Sequence, residues 1–146
     1  MYTLTKDFRF EAAHRLAKGY VGKCANIHGH SWNGTIAIEC DKLDDKDMGV
    51  DYASIGVFLK TKVEEHLDHK FFIFVEDEIS ALLKGQGYGT ILFDSNPTSE
   101  VLAKYIYNMA VKFFKERHPR AHVAWVTIKE TCTTSCTYNE KLTINI

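Results

Sequence analysis

Cys24-Ala25-Asn26-Ile27-His28-Gly29-His30 leads without a break into Ser31–Cys40, and this junction decides the fold. Ser31 to Cys40 alternates Trp32, Ile36 and Ile38 against Ser31, Thr35 and Glu39, the period-two pattern of a strand with one buried face. Residues two apart on a strand share a face, so His28 and His30 reach the same point. Upstream, residues 2–13 alternate likewise, with Tyr2, Leu4, Phe8 and Phe10 on one parity, and end beside a third histidine in Phe10-Glu11-Ala12-Ala13-His14-Arg15. The loop 15–27 between them holds Gly19, Gly22 and Asn26, which suit irregular backbone. Paired as neighbouring strands, the two stretches bring three neutral imidazoles together, the ligand set of a catalytic zinc with its fourth position open. Cys24 is then free for chemistry.

Further along, Ile55, Phe58, Leu59, Val63 and Leu67 recur at three and four, one apolar stripe of a helix from Ser54 to Leu67 with Asp51 or Ser54 as its cap. A longer helix follows Asn96-Pro97-Thr98-Ser99-Glu100, where Pro suits a first turn and Asn, Thr or Ser a cap. Its stripe is Val101, Leu102, Tyr105, Ile106, Met109, Ala110, Phe113 and Phe114, and it should stop near His118-Pro119. Strands are expected over His122–Glu130 and Thr137–Ile146. Between the helices, Glu76–Lys84 reads as a short helix, Gly85-Gln86-Gly87-Tyr88-Gly89 as a turn and Ile91-Leu92-Phe93 as a short strand. The order strand, strand, helix, helix, strand, strand favours an α+β layer pair, a four-stranded antiparallel sheet with both helices on one face. In His122–Glu130, His122, Ala124, Val126 and Ile128 lie on one parity and Val123, Trp125 and Thr127 on the other, so both faces are apolar. One face meets the helices. The other is expected to meet a second copy in a homo-oligomer.

The chain's 146 residues fit one domain over 1–146, with 45% apolar and 25% charged residues as in ordinary globular proteins. A net charge of -1 gives nucleic acid or an anionic membrane no electrostatic reason to bind. No stretch reaches transmembrane length and the first residues lack the order of a signal peptide, so a cytoplasmic protein with free thiols is expected. Cys40, Cys132 and Cys136 are read as structural. The last two are separated by three residues rather than two, with no second thiol pair nearby, which gives a zinc ribbon little support.

Each candidate residue has a plain alternative. The histidines could be ordinary hydrogen-bonded side chains, although a same-face pair beside a third favours a divalent ion. A closed structural site of Cys24, His14, His28 and His30 is the sharper rival, and it would carry no turnover. Cys24 could be an inert buried thiol, yet its loop argues against deep burial and a neighbouring dication favours the reactive thiolate. In Leu67-Asp68-His69-Lys70 the helix is ending, which leaves Asp68 free to orient His69 as a proton carrier. Glu130 continues the parity of Val126 and Ile128. It is either a strand-end acid reaching water or a pocket carboxylate accepting two parallel N–H bonds from a planar, guanidine-like ligand. Glu100, in a first helical turn, is already accounted for by the helix dipole.

Taken together, these segments resemble the 6-pyruvoyl-tetrahydropterin synthase family over nearly the whole chain and in the family's order. The three-residue gap between Cys24 and His28 resembles its bacterial branch, the 6-carboxy-5,6,7,8-tetrahydropterin synthases of queuosine precursor synthesis. The resemblance implies a tunnelling fold, ββααββ, whose subunits form a trimeric barrel that stacks into a homohexamer. It implies Zn2+ on His14, His28 and His30, with Cys24, Asp68 and His69 as the proton-transfer set and the Asp-His pair reaching the site from a neighbouring subunit. Glu130 would anchor the pterin ring, helped by Thr98, Ser99 or Glu100. The implied reaction turns 7,8-dihydroneopterin triphosphate into 6-carboxytetrahydropterin with loss of triphosphate and acetaldehyde. Alternatives are a 6-pyruvoyl-tetrahydropterin synthase, a lyase acting on the dihydroneopterin side chain, and a non-enzymatic zinc-stabilised binding module. The segment from Phe72 to Asp94 is longer than in compact bacterial members and is expected at the mouth of the site.

Overall fold

The computed structural model describes residues 1–140. In chain order its elements are strands β1 (Tyr2–His14) and β2 (His28–Cys40), helix α1 (52–67), strand β3 (Lys70–Phe74), helix α2 (Ser80–Gly85) and strand β4 (Thr90–Phe93). Helix α3 (Ser99–Arg117) and strands β5 (Ala121–Thr131) and β6 (Thr134–Tyr138) complete it. β1 and β2 pair antiparallel throughout, from Tyr2 opposite Cys40 to His14 opposite His28. Phe8 lies across Gly34, its register partner, so closely that any Cβ there would collide with the ring. That contact helps fix which residues face each other at the far end.

The sheet has six strands in the order β4-β3-β1-β2-β5-β6, two more than expected. The four antiparallel strands are β1, β2, β5 and β6, whereas β3 and β4 are short and run parallel to β1. Phe72, Ile73 and Phe74 are all buried. A run covered on both faces has no alternation, so periodicity gives no signal for β3. The expected continuation of the last strand over 141–146 lies outside the described residues.

β5 corrects the parity reading. Ile38 pairs with Val123 but Ala37 with Trp125, so Ala124 is an extra residue and a bulge reverses the alternation. Val123 therefore joins Val126 and Ile128 in the core. Much of the two-faced apolar pattern has this local cause.

α1 starts where Asp51 accepts the Ala53 N–H (2.8 Å) and passes through a π-helical stretch, Leu59–Glu64. All five residues of its expected stripe are buried. α3 is capped by the Thr98 hydroxyl and buries Leu102, Ile106, Ala110, Phe113 and Phe114. Both helices share one core with Phe8, Phe10, Trp32, Ile36 and Ile38, so both cover the same sheet face. Trp32 is fully buried, and truncating it to Ala would cost about 3–5 kcal/mol. Among the described residues no helix is long and apolar enough to cross a membrane.

Candidate metal centre and active site

His14 and His28 are cross-strand partners and His30 faces Ala12, so the ribbon's register itself gathers the three imidazoles. Ring centroids lie 4.5 Å apart for His14–His28, 5.1 Å for His14–His30 and 4.9 Å for His28–His30. Trp32 forms their floor, 5.1 Å from both His14 and His30 and held by its indole N–H on the Ala12 carbonyl (3.2 Å).

Two backbone carbonyls set the tautomers. His14 Nδ1 donates to Pro97 O (2.7 Å) and His28 Nδ1 donates to Asn26 O (2.7 Å), since a carbonyl can only accept. Both Nε2 atoms then carry lone pairs, and they stand 3.1 Å apart. Bare lone pairs repel at that distance, whereas two nitrogens bonded to one tetrahedral zinc sit roughly 3.3 Å apart. His30 Nε2 is sealed from water without a well-aligned hydrogen bond. Burial, above all, pushes the His14 and His30 imidazoles below their ordinary range, which keeps them neutral as ligands must be. This donor set fits a divalent cation. Carbonyl-oriented imidazoles are also the usual surroundings of one.

Glu130 completes the cluster. Its Oε1 lies 3.0 Å from His30 Nε2 and 3.6 Å from His14 Nε2, and the four side chains offer ligand atoms within 4.8 Å of one another. The parity argument placed it on this face, but its contact with the imidazoles was not foreseen from sequence. Cys24 is not in that group. It sits half-buried in a 3-10 turn, Lys23–Ala25, with its carbonyl accepting the Leu16 N–H (2.8 Å).

Asp68 and His69 stand elsewhere in the same chain. Asp68 Oδ1 accepts the Glu11 N–H (2.7 Å), Oδ2 accepts from His69 Nδ1 (2.8 Å), and the His69 N–H returns to Glu11 O (2.6 Å). These bonds, the Glu11 N–H above all, hold the Asp68 carboxyl below the usual carboxylate range. His69 adopts a left-handed φ of 55° and is largely exposed, with Nε2 free. It lines a cavity of about 630 Å³ with Glu11, His30, Ser31, Lys70, Leu83 and Tyr88. Glu11 and Ser31 are opposite one another on the ribbon, at positions of the parity that points away from the imidazoles. Strand parity thus points the imidazoles to one face of β1–β2 and the Glu11 and Ser31 side chains beside the dyad to the other, with His30 at the shared edge of the cavity.

Thr98, Ser99 and Glu100 form the first turn of α3 beside the cluster, tied to it through Pro97 O. The Thr98 hydroxyl and the helix's own N–H keep Glu100 below the usual carboxylate range, and burial with the nearby Glu100 charge pushes the Cys136 thiol up. The 72–94 segment contributes Leu83 and Tyr88 to the cavity beside His69, and Asp77, buried and 3.1 Å from Arg15 Nε next to His14. The segment was expected at the mouth of the site, but without periodicity the individual residues had no sequence signal.

Known proteins are similar to this chain in sequence and fold. The family model described as 6-pyruvoyl tetrahydropterin synthase matches residues 3–141. A 6-carboxy-5,6,7,8-tetrahydropterin synthase of Aquifex aeolicus is 32% identical, covering 96% of this chain and 99% of its own. One of the same name from Synechocystis is 30% identical over 94% and 93%. In structure, the Caenorhabditis elegans 6-pyruvoyl tetrahydropterin synthase superposes with a TM-score of 0.67 at 25% identity, covering 95% of each chain.

Proposed function

The chain belongs to the 6-pyruvoyl tetrahydropterin synthase family, and from that premise we propose that it is a zinc-dependent 6-carboxy-5,6,7,8-tetrahydropterin synthase, a cytoplasmic enzyme of queuosine precursor synthesis. The observation that carries the reading is the convergence of His14, His28 and His30, the first two with Nε2 lone pairs facing each other, in a chain similar over nearly its whole length to relatives bearing that name. His14, His28 and His30 hold Zn2+, which when bound supplies a Lewis acid for the substrate's side-chain oxygens.

The remaining roles fall to the chain's own groups. Cys24, as thiolate, takes a proton from a side-chain carbon. His69, oriented by Asp68, moves protons on the other side through its free Nε2. Glu130 accepts the 2-amino and N3–H edge of the pterin as a bidentate pair, with Thr98, Ser99 and Glu100 around the ring. Strand parity points the imidazoles away from the Glu11 and Ser31 side chains beside the dyad, which supports a site whose dyad comes from a second copy. A homohexamer built as a dimer of trimers supplies that copy.

The test is incubation with 7,8-dihydroneopterin triphosphate. Acetaldehyde, triphosphate and 6-carboxytetrahydropterin are expected, all suppressed by a zinc chelator. A 6-pyruvoyl product, or turnover of unphosphorylated dihydroneopterin alone, would refute the assignment.

The 3.0 Å contact between Glu130 and His30 supports a second reading, in which Glu130 closes a three-histidine, one-carboxylate metal site. The two separate in Glu130→Gln. Ring anchoring predicts wild-type zinc content with KM raised at least tenfold, whereas ligation predicts zinc loss.

A further inference from the structure

Cys24 rides on an irregular loop, and the reaction proposed above needs its sulfur held at a fixed point. Within the loop, Leu16 N–H to Cys24 O (2.8 Å), Ala25 N–H to Gly22 O (3.1 Å) and Asn26 N–H to Lys23 O (3.1 Å) give it internal shape. None of these bonds anchors it to the rest of the molecule. Asn96 does. Its side-chain Oδ1 accepts the Lys18 N–H (2.8 Å) and its Nδ2 donates to Lys18 O (2.9 Å), a two-bond clasp on one residue's main chain. Among the described residues, these are the only hydrogen bonds from residues 17–25 to an element outside the loop. Lys18 Nζ also lies 5.4 Å from the centre of the Phe74 ring on β3, so the clasped residue is held at both ends.

The next residue in the same turn, Pro97, accepts the His14 Nδ1–H (2.7 Å). A single turn before α3 therefore grips the thiol loop with the Asn96 side chain and orients a metal ligand with the adjoining carbonyl. We infer that Asn96 is a positioning residue for Cys24, setting the thiol's place relative to the imidazole cluster through its clasp on the Lys18 main chain. This rests on the reading of Cys24 as the proton-transferring thiol. An amide is the required group, since it offers a donor and an acceptor side by side. Asp keeps only the acceptor, and Ala keeps neither.

The experiment measures steady-state kinetics with 7,8-dihydroneopterin triphosphate, zinc content, and the iodoacetamide alkylation rate of the Cys24 peptide followed by mass spectrometry. It uses Asn96→Ala, Asn96→Asp and Cys24→Ala in the full chain. Asn96→Ala should lower kcat about tenfold with KM and zinc within about twofold of wild type, because misplacement of a reacting group costs rate rather than binding. Cys24 should be alkylated several-fold faster as the loop loosens. Asn96→Asp should fall between, and it decides the matter if the alanine variant does not fold. Unchanged kcat and alkylation in the Asn96 variants, beside an inactive Cys24→Ala, would overturn the clasp and leave the enzyme reading intact. A fully active Cys24→Ala would remove the reading itself, and the clasp's role with it.

Discussion

The two faces of the β1–β2 ribbon differ in how they hold histidine. On one, His14 is 1% exposed and three rings converge, with His14 and His28 oriented by main-chain carbonyls of their own chain. On the other, the His69 side chain is 80% exposed and held by a single carboxylate, with its outer nitrogen facing solvent. The first arrangement is finished within one chain. The second is aimed outward, into the cavity that His69 lines. On the proposed reading, metal binding and proton transfer in one polypeptide depend on different levels of structure, register for the first and assembly for the second.

The sharpest way to break this comparison is to remove a ligand. His14→Ala should leave below about a tenth of the bound zinc and reduce turnover by about a thousandfold or more, by metal analysis and product assay. Near-normal zinc would mean that the converged face is not the metal site. His69→Ala should instead retain zinc and lose about 10² to 10⁴ in kcat. Co-expressing these two inactive variants tests the outward face directly. If each site draws imidazoles from one subunit and dyad from another, random assembly restores about a quarter of the sites. No recovery would place both functions in a single chain.

The smallest effect is on stability. Burial depresses the His14 and His30 imidazoles, so between their folded values and the ordinary value of about 6.5 the unfolded chain binds more protons. Their contribution is full above about pH 6.5 and is lost as pH falls through the folded values. The metal-free protein should melt roughly 3 °C lower at pH 5.5 than at pH 7, and the drop should shrink in His14→Ala. Asp68 and Glu100 act in the same direction only further into acid, whereas His66, also depressed by burial, adds to the drop, so the comparison with His14→Ala is what isolates the cluster. A midpoint independent of pH would show that the converged face carries no such penalty.

The sequence made some of this legible and not the rest, for physical reasons. Alternation in residues 2–13 and 31–40 revealed the ribbon, and two histidines two apart on one strand announced a shared face. The stripe from Ile55 to Leu67 showed its helix because a half-buried helix writes its period into the chain. β4 was legible as a short apolar run, whereas β3 was not, since a strand covered on both faces loses alternation. The bulge at Ala124 was invisible because the register of a partner strand, not composition, creates it. The orienting carbonyls of Asn26 and Pro97 had no signal at all. Every residue has a carbonyl, and only the fold decides which ones matter.

His69 sits at a backbone angle that few residues tolerate, chiefly Gly, Asn, Asp and His. Of these, only histidine exchanges a proton near neutral pH. Two independent filters act on position 69, one for ending α1 and turning into β3, the other for chemistry. Their overlap is nearly a single amino acid. If His69 carries protons as proposed, mutational drift there has almost no neutral route, because a change that spares the turn removes the proton carrier and most changes that could carry a proton strain the turn.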